Sequence, residues 1–266
     1  MATVIEKPIA MCTEDALAIV KKAEEKGVFV CTCMQNRFNE AVCKLKKALD
    51  DGRFGRISHA SLTVRWHREK SYYDQADWRG KWESDGGALM NQCIHGLDLL
   101  RWLMGDEIES VSAMTDRRFH PYIEAEDIGV AIIKFKNGAL ATVEGSVNVY
   151  PNDREVSICV FGENATAKIG GKSANKIEIW DLSDEKDRGA LVEEKTESIY
   201  GNGHTPLYAD LICALKGGGK IKVDARAGMR ALELVLAIYR SAAEGRVVTL
   251  PLEPTASADF INRFNK

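Results

Sequence analysis

The dipeptide Asn137-Gly138, set between the apolar runs Ile128 to Phe135 and Leu140 to Val147, most narrows the fold open to this chain. An Asn-Gly link supplies the positive φ angles of a tight hairpin, so the two runs pair antiparallel. Runs of the same kind, Val111 to Thr115, Val156 to Phe161 and Ile177 to Trp180, lie on either side. Upstream, Leu62, Val64 and Trp66 alternate with Ser61, Thr63, Arg65 and His67, the period-two pattern of a strand with one buried face. Together they predict one large, mostly antiparallel open sheet with helices on one face. The other face then needs cover, and a partner subunit is the natural one.

Ahead of that sheet the rhythm is β-α-β-α. A short strand-like run precedes Glu6-Lys7-Pro8, and Pro8 takes the chain out of regular structure. Thr13 is the expected N-cap of a helix with Glu14 and Asp15 in its first turn, and Gly27 is placed to end it. Val28 to Cys33 reads as a strand, and Val42, Leu45 and Leu49 mark a second helix after Gln35-Asn36-Arg37-Phe38-Asn39. This is the closing part of a doubly wound α/β sheet, whose ligands bind beyond the carboxyl ends of the strands. One further helix is expected from Asp85-Gly86-Gly87 through Leu89, Cys93, Leu97, Leu100 and Met104 to Gly105. Two more follow Gly203-His204-Thr205-Pro206 and Asp224, and a short strand, Val247 to Leu250, closes the fold.

Composition excludes several function classes. The 266 residues are 45% hydrophobic, enough for a substantial core, and the net charge of −3 offers no basic footprint for a nucleic-acid binder. No apolar run reaches the length of a membrane span and the N-terminus lacks the order of a signal peptide, so the cytoplasm is the expected compartment. The seven cysteines fall mostly inside apolar segments and read as buried thiols. Cys31-x-Cys33 has the wrong spacing for a redox or zinc pair, and His59 and His67 lie about 26 Å apart on an ideal strand, too far to share a metal. The charged run Asp184 to Arg188 reads as a solvated loop.

Three constellations can carry chemistry. Lys7 stands at a strand end, where a cation can polarise an oxygen; taken alone, an ordinary surface lysine is the plainer reading. Asn91 and His95, four apart on the helix after Gly86-Gly87, project toward one cavity, where His95 can move a proton and Asn91 can orient a hydroxyl; a capped helix with a core histidine is the plainer alternative. Arg65-Trp66-His67-Arg68, Tyr72-Tyr73 and Trp78-Arg79-Gly80-Lys81-Trp82 concentrate cations and aromatics. Such a stretch stacks a base and clamps phosphates, and it equally suits a subunit interface.

Taken in order, Glu6-Lys7-Pro8, Gln35 to Asn39, Gly86 to His95 and the ending Gly228 to Pro251 resemble the Gfo/Idh/MocA oxidoreductases over nearly the whole chain. The segment VRWHREKSYYDQADWRGKWESDGGALMNQCIH, Val64 to His95, is similar in particular to the UDP-N-acetylglucosaminuronate 3-dehydrogenases of surface-polysaccharide biosynthesis. The resemblance implies an α/β remnant of a Rossmann-type sheet over residues 1–38. It further implies an α+β substrate-binding and oligomerisation domain over 39–252, and a tail over 253–266. It makes Lys7 and His95 the catalytic pair, with Asn91 where many relatives carry Asp, and puts Glu6, Lys7, Pro8 and Arg37 at the cofactor. Arg65, His67, Tyr72, Tyr73, Trp78, Arg79, Asn91 and His204 are then expected around the nucleotide sugar, in a dimer or tetramer.

The cofactor implied is NAD or NADP. Relatives bind it through G-x-G-x-x-G and a ribose-binding acid about twenty residues on, and these residues supply neither. Gly217-Gly218-Gly219 has no strand before it, and Gly162, Gly170 and Gly171 do not match the spacing. The expectation is therefore little or no dehydrogenase activity from residues 1–266 alone, with a separate cofactor-binding polypeptide as one way to complete the enzyme. A non-catalytic sugar-nucleotide-binding module is the rival, and an isomerase or hydrolase using His95 with Asp98 or Glu83 is a third reading.

Overall fold

The computed structural model describes residues 2–183, 193–195 and 201–265, so the Asp184 to Arg188 run lies outside the described residues. Strands β1 (Ala2–Ile5) and β2 (Phe29–Thr32) pair parallel, with Ala2 opposite Phe29 and Ile5 opposite Thr32. Helix α1 (Thr13–Lys26) crosses between them. Its N-cap is Cys12, one residue ahead of the expected Thr13, and the Cys12 Sγ accepts from the Asp15 backbone N–H. The reason lies at the other end of the chain: the Thr13 hydroxyl accepts from the Thr255 backbone N–H at 3.0 Å, tying the C-terminal tail to the first helix. A short 3-10 turn (Gln35–Phe38) leads into α2 (Glu40–Asp50), which buries Ala41, Val42, Leu45 and Ala48.

The second part begins with β3 (Ile57–Arg65), followed by three helices, α3 (Lys70–Tyr73), α4 (Ala88–Asn91) and α5 (Ile94–Leu103). Six strands come next: β4 (Ile108–Asp116), β5 (Ile128–Phe135), β6 (Leu140–Ser146), β7 (Glu155–Gly162), β8 (Ala165–Gly170) and β9 (Lys176–Leu182). Helices α6 (His204–Leu215) and α7 (Ala225–Glu244) and the short β10 (Val248–Thr249) complete the fold. The sheet order is β10-β4-β5-β6-β3-β7-β8-β9, and β3–β6 is its one parallel pair among the described residues. The β5–β6 pairing is the antiparallel one expected, but the loop is the three residues Lys136 to Gly138 and only Gly138 takes a positive φ, +89°, in place of a two-residue Asn-Gly turn.

Alternation decides which face is covered. On β5, Ala131, Ile133 and Phe135 point inward while Val130, Ile132 and Lys134 point out. On this side α4 packs on β5 and β6, α5 on β3 and β7, and α7 on β4, and their buried Leu89, Leu97, Leu100, Leu232 and Leu236 fill the space between helices and sheet. The opposite face is left open, with Met114, Val130, Ile132 and Leu140 exposed on it. Helix α7 also packs on α1 and β2, joining the small parallel sheet to the large one. Asp224 caps it, accepting from the Ala227 N–H at 2.8 Å.

The single long helix expected from residue 88 onward is broken into α4 and α5. The Cys93 N–H reaches back five residues to the Ala88 carbonyl at 2.9 Å, and the ladder resumes from Leu97 to Cys93. This widened turn re-aims the helix between Asn91 and His95.

Candidate active site

Lys7 follows β1 and reaches under α4: its Nζ donates to the Asn91 carbonyl oxygen at 2.7 Å and lies 3.4 Å from Asn91 Oδ1. Burial pushes the Lys7 pKa down from its ordinary value, against the pull of Asp85 and Glu6. The Asn91 amide is oriented from both ends. Its Nδ2 donates to Asp85, and its Oδ1 accepts from Gln92 Nε2 at 3.0 Å. Asp85 also accepts from the Gly80 N–H at 2.6 Å, and its own pKa is raised by burial. His95, in the first turn of α5, has a buried Nδ1 without a hydrogen-bond partner among the described residues. Burial, with Lys7 and His204 nearby, holds its pKa down to about 3, so the ring is neutral across the physiological range.

Helix α4 is a single turn, too short to hold itself, and every N–H at its start has an external partner. Gly87 and Met90 donate to the Tyr239 hydroxyl at 3.2 Å each, Ala88 to the Glu126 carbonyl at 3.0 Å, and Leu89 to Glu126 Oε1 at 2.7 Å. The Tyr239 hydroxyl in turn donates to Glu126 Oε1 at 3.0 Å. Glu126 is fully buried, and burial raises its pKa to about 8. The unfolded chain gives up this proton near 4.5, so this group's stabilising contribution is complete below that pH and is lost as pH rises to about 8. The slope is at most about 1.4 kcal/mol per pH unit. Glu126→Gln is expected to remove this slope from urea midpoints measured between pH 5 and 8.

The rest of the wall is cationic and aromatic. The Arg68 guanidinium lies 4.9 Å from the Trp66 ring and 5.3 Å from Tyr72, while Arg79 lies 4.1 Å from Tyr72 and 4.6 Å from Trp78. Arg68 also donates to Asp153 at 3.0 Å and to Gln92 Oε1 at 2.9 Å, and Gln92 Nε2 donates to the Tyr72 hydroxyl at 2.7 Å. Buried N–H groups remain without partners among the described residues: Nε of Arg68, Nε of Arg79 and the indole of Trp66.

One cavity of about 890 Å³ brings most of the expected residues together. Glu6, Lys7, Pro8, Tyr72, Trp78, Arg79, Asn91, His95 and His204 line it, and so do Gln35, Asn36, Trp66, Arg68, Gln75, Ser84, Asp85, Gln92 and Ser173. Four expected residues lie elsewhere. Arg37 is buried in a bidentate pair with Asp98, at 2.7 and 2.6 Å, and stacks on Trp102 at 4.9 Å. Arg65 is taken up on the sheet by Glu144 and Glu155, at 2.7 and 2.8 Å. His67 faces Glu69 at 3.2 Å, and Tyr73 packs edge-on against Tyr72 and beside His120 and Tyr122. The Arg37 pair also occupies Asp98, and Glu83 is exposed off the cavity; the carboxylate bonded to Asn91 is Asp85, which lines the cavity together with Glu6.

Sequence reading passed over Asp85, Gln92, Glu126 and Tyr239 as positioning groups. Only the charge of Asp85 directly before two glycines was a local signal. Among the described residues no cluster of three or more His, Cys, Asp or Glu side chains can hold a metal, and no helix is long and apolar enough to cross a membrane. The nicotinamide end of a dinucleotide fits Lys7 and Pro8, which open into the cavity at the carboxyl end of β1. The pyrophosphate end does not fit: Gly217 to Gly219 follow α6, and no Gly-rich turn joins a strand to a helix N-terminus among the described residues.

Residues 46–250 match the Gfo/Idh/MocA model described as the oxidoreductase family, C-terminal alpha/beta domain, and the chain belongs to that family. The WlbA dehydrogenase of Bordetella pertussis, solved in complex with NADH and UDP-GlcNAcA, superposes with a TM-score of 0.82 at 39% identity, covering 94% of this chain and 72% of that one. The WlbA dehydrogenase of Chromobacterium violaceum, solved with the same two ligands, gives 0.83 at 38% identity over 95% and 72%. The myo-inositol 2-dehydrogenase of Thermotoga maritima is 26% identical over 251 residues, which span 92% of this chain and 71% of that protein.

Proposed function

We propose that these residues form the substrate half of an NAD(H)-dependent oxidoreductase that oxidises a sugar hydroxyl, C3 of UDP-N-acetylglucosaminuronate being the best fit. The observation that carries the reading is the meeting of Lys7, Asn91 and His95 with the Arg68–Tyr72–Arg79 wall in one cavity. About 890 Å³ suits a nucleotide sugar. The guanidinium groups of Arg68 and Arg79 on the cavity wall suit its diphosphate and carboxylate. The two WlbA structures with UDP-GlcNAcA support the same substrate class.

A bound nicotinamide supplies the hydride acceptor; the remaining work is done by the chain itself. Asn91, fixed by Asp85 and Gln92, orients the reacting hydroxyl. Lys7 Nζ, whose pKa burial lowers, takes the hydroxyl proton and then stabilises developing negative charge as the ammonium. His95, held neutral, accepts a hydrogen bond from the sugar and keeps it in register. The division into a strand-pair remnant over 1–38 and a substrate domain over 39–252 follows from this reading, as does a dinucleotide-binding half on the same or another polypeptide.

The open face with Met114, Val130, Ile132 and Leu140 is assigned to a second copy of the chain. Sedimentation as a monomer at micromolar concentration would refute that assignment. The functional reading itself is tested by titration with the nucleotide sugar and with NADH side by side, where binding of the first is required.

A further inference from the structure

His120 lies in the connection from β4 to β5, away from the reacting groups, and both of its ring nitrogens face acceptors. Nδ1 is 2.9 Å from a carboxylate oxygen of Asp127, and Nε2 is 2.8 Å from the backbone carbonyl oxygen of Arg68. A carbonyl has no proton to give. The Asp127 carboxylate already accepts from the backbone N–H groups of Arg118, Phe119 and His120 and from Asn148 Nδ2. Against burial, which pushes it up, the bond to His120 and then those from Arg118, Asn148 and Phe119 hold its pKa down to about 2, so it has none to give either. A neutral imidazole carries one N–H and can satisfy only one of these two acceptors, whereas the imidazolium satisfies both. The ring is buried, with Tyr73 and Tyr122 each at 5.6 Å, so water does not take over the second bond.

What the second bond holds is the arm of the cavity. The Arg68 carbonyl fixes the backbone from which the Arg68 side chain reaches Asp153 and Gln92. Gln92 reaches Tyr72 and Asn91, and Asn91 accepts from Lys7. We propose that His120, as the doubly protonated imidazolium, is a positioning residue for the Arg68–Tyr72 wall, so that the cavity grips an anionic nucleotide sugar more tightly while His120 keeps both protons. The ligand class rests on the function proposed above; the tie between His120 and Arg68 does not. The groups facing the ring are Asp127 and Tyr122 from its own connection, Arg68 and Tyr73 from the arm, and Asn148 after β6. Lys70 acts at one remove, over Tyr122 at 5.8 Å. Burial pulls the His120 pKa down, but Asp127 and the Arg68 carbonyl together raise it above its ordinary value, so the device is engaged at low pH and released as pH rises through that raised value.

The test follows the His120 ring nitrogens by NMR between pH 5.5 and 9.5 on the wild-type chain, with calorimetric titration of UDP-N-acetylglucosaminuronate at each pH. Expected are two protonated nitrogens at pH 7 and an affinity that drops about tenfold as they lose a proton, the scale of one charge-assisted hydrogen bond. A single neutral tautomer at pH 7, or an affinity unchanged through the His120 transition, overturns the proposal. If the nucleotide sugar binds at no pH, the functional reading fails and this one is still read out by Trp66 fluorescence, because that ring lies under the Arg68 guanidinium. A change that follows the His120 midpoint and is absent in His120→Gln supports it. No change overturns it, and so does one that persists in His120→Gln, which would belong to Glu126. The wild-type series needs no variant to fold.

Discussion

Gly87→Ala is expected to destabilise the protein by about 3 kcal/mol, at the upper end of overpacking costs, and to lower the urea midpoint accordingly. Gly87 has φ −106°, which alanine tolerates, so backbone strain is not the cause. A Cβ there would sit 1.6 Å from Glu126 Oε2 and 2.4 Å from the Glu126 carbonyl oxygen, the same carbonyl that accepts from Ala88. Relief requires α4 to lift off Glu126 and Tyr239, which releases the helix that carries Asn91. Gly27→Ala is the contrast. Nothing lies within 4 Å of its Cβ and φ is +59°, so only the left-handed strain of about 1 kcal/mol is expected. Equal losses at the two positions would show that the Glu126 contact is not what fixes α4.

Lys7→Met is expected to lower kcat by about 10³-fold, within the range for removing an acid-base group, while the affinity for the nucleotide sugar changes by less than about threefold. The assay is formation of reduced nicotinamide from UDP-N-acetylglucosaminuronate with a dinucleotide-binding half present. Residues 1–266 without such a half are expected to give negligible turnover; robust turnover from them with NAD alone would sink that reading. Methionine keeps the stem volume of lysine and removes the charge, so the Asn91 carbonyl loses its donor while the packing under α4 stays. A variant that loses affinity and kcat together would place Lys7 in binding rather than in the chemical step.

Local signals made the strand pair and the hairpin legible in the sequence. Gly27 ends α1 and Asp224 caps α7, both by short-range chemistry. Strand β8 was missed because its inward residues are Ala165, Ala167 and Ile169, and alanine carries little strand signal. It is held instead by pairing with β7 and β9. The break between α4 and α5 was invisible because Leu89, Cys93, Leu97 and Leu100 keep an unbroken apolar period across it. At the site, motif residues such as Lys7, Asn91 and His95 were readable, but their supports were not. Glu126 and Tyr239 are 113 positions apart and Arg37 and Asp98 are 61 apart, and such pairings are decided only by the folded sheet. Arg37 illustrates the difference: its motif suggested a ligand contact, and in the fold its guanidinium is spent on Asp98.

The substrate reading stands most directly on one calorimetric titration of the chain with UDP-N-acetylglucosaminuronate, run beside NADH, with Arg79→Ala as the companion variant. Expected are micromolar binding of the nucleotide sugar, a loss of about tenfold in Arg79→Ala and no measurable heat with NADH, because the cavity supplies the cationic wall but no pyrophosphate cradle. Tight NADH binding, or no binding of the nucleotide sugar, would contradict it.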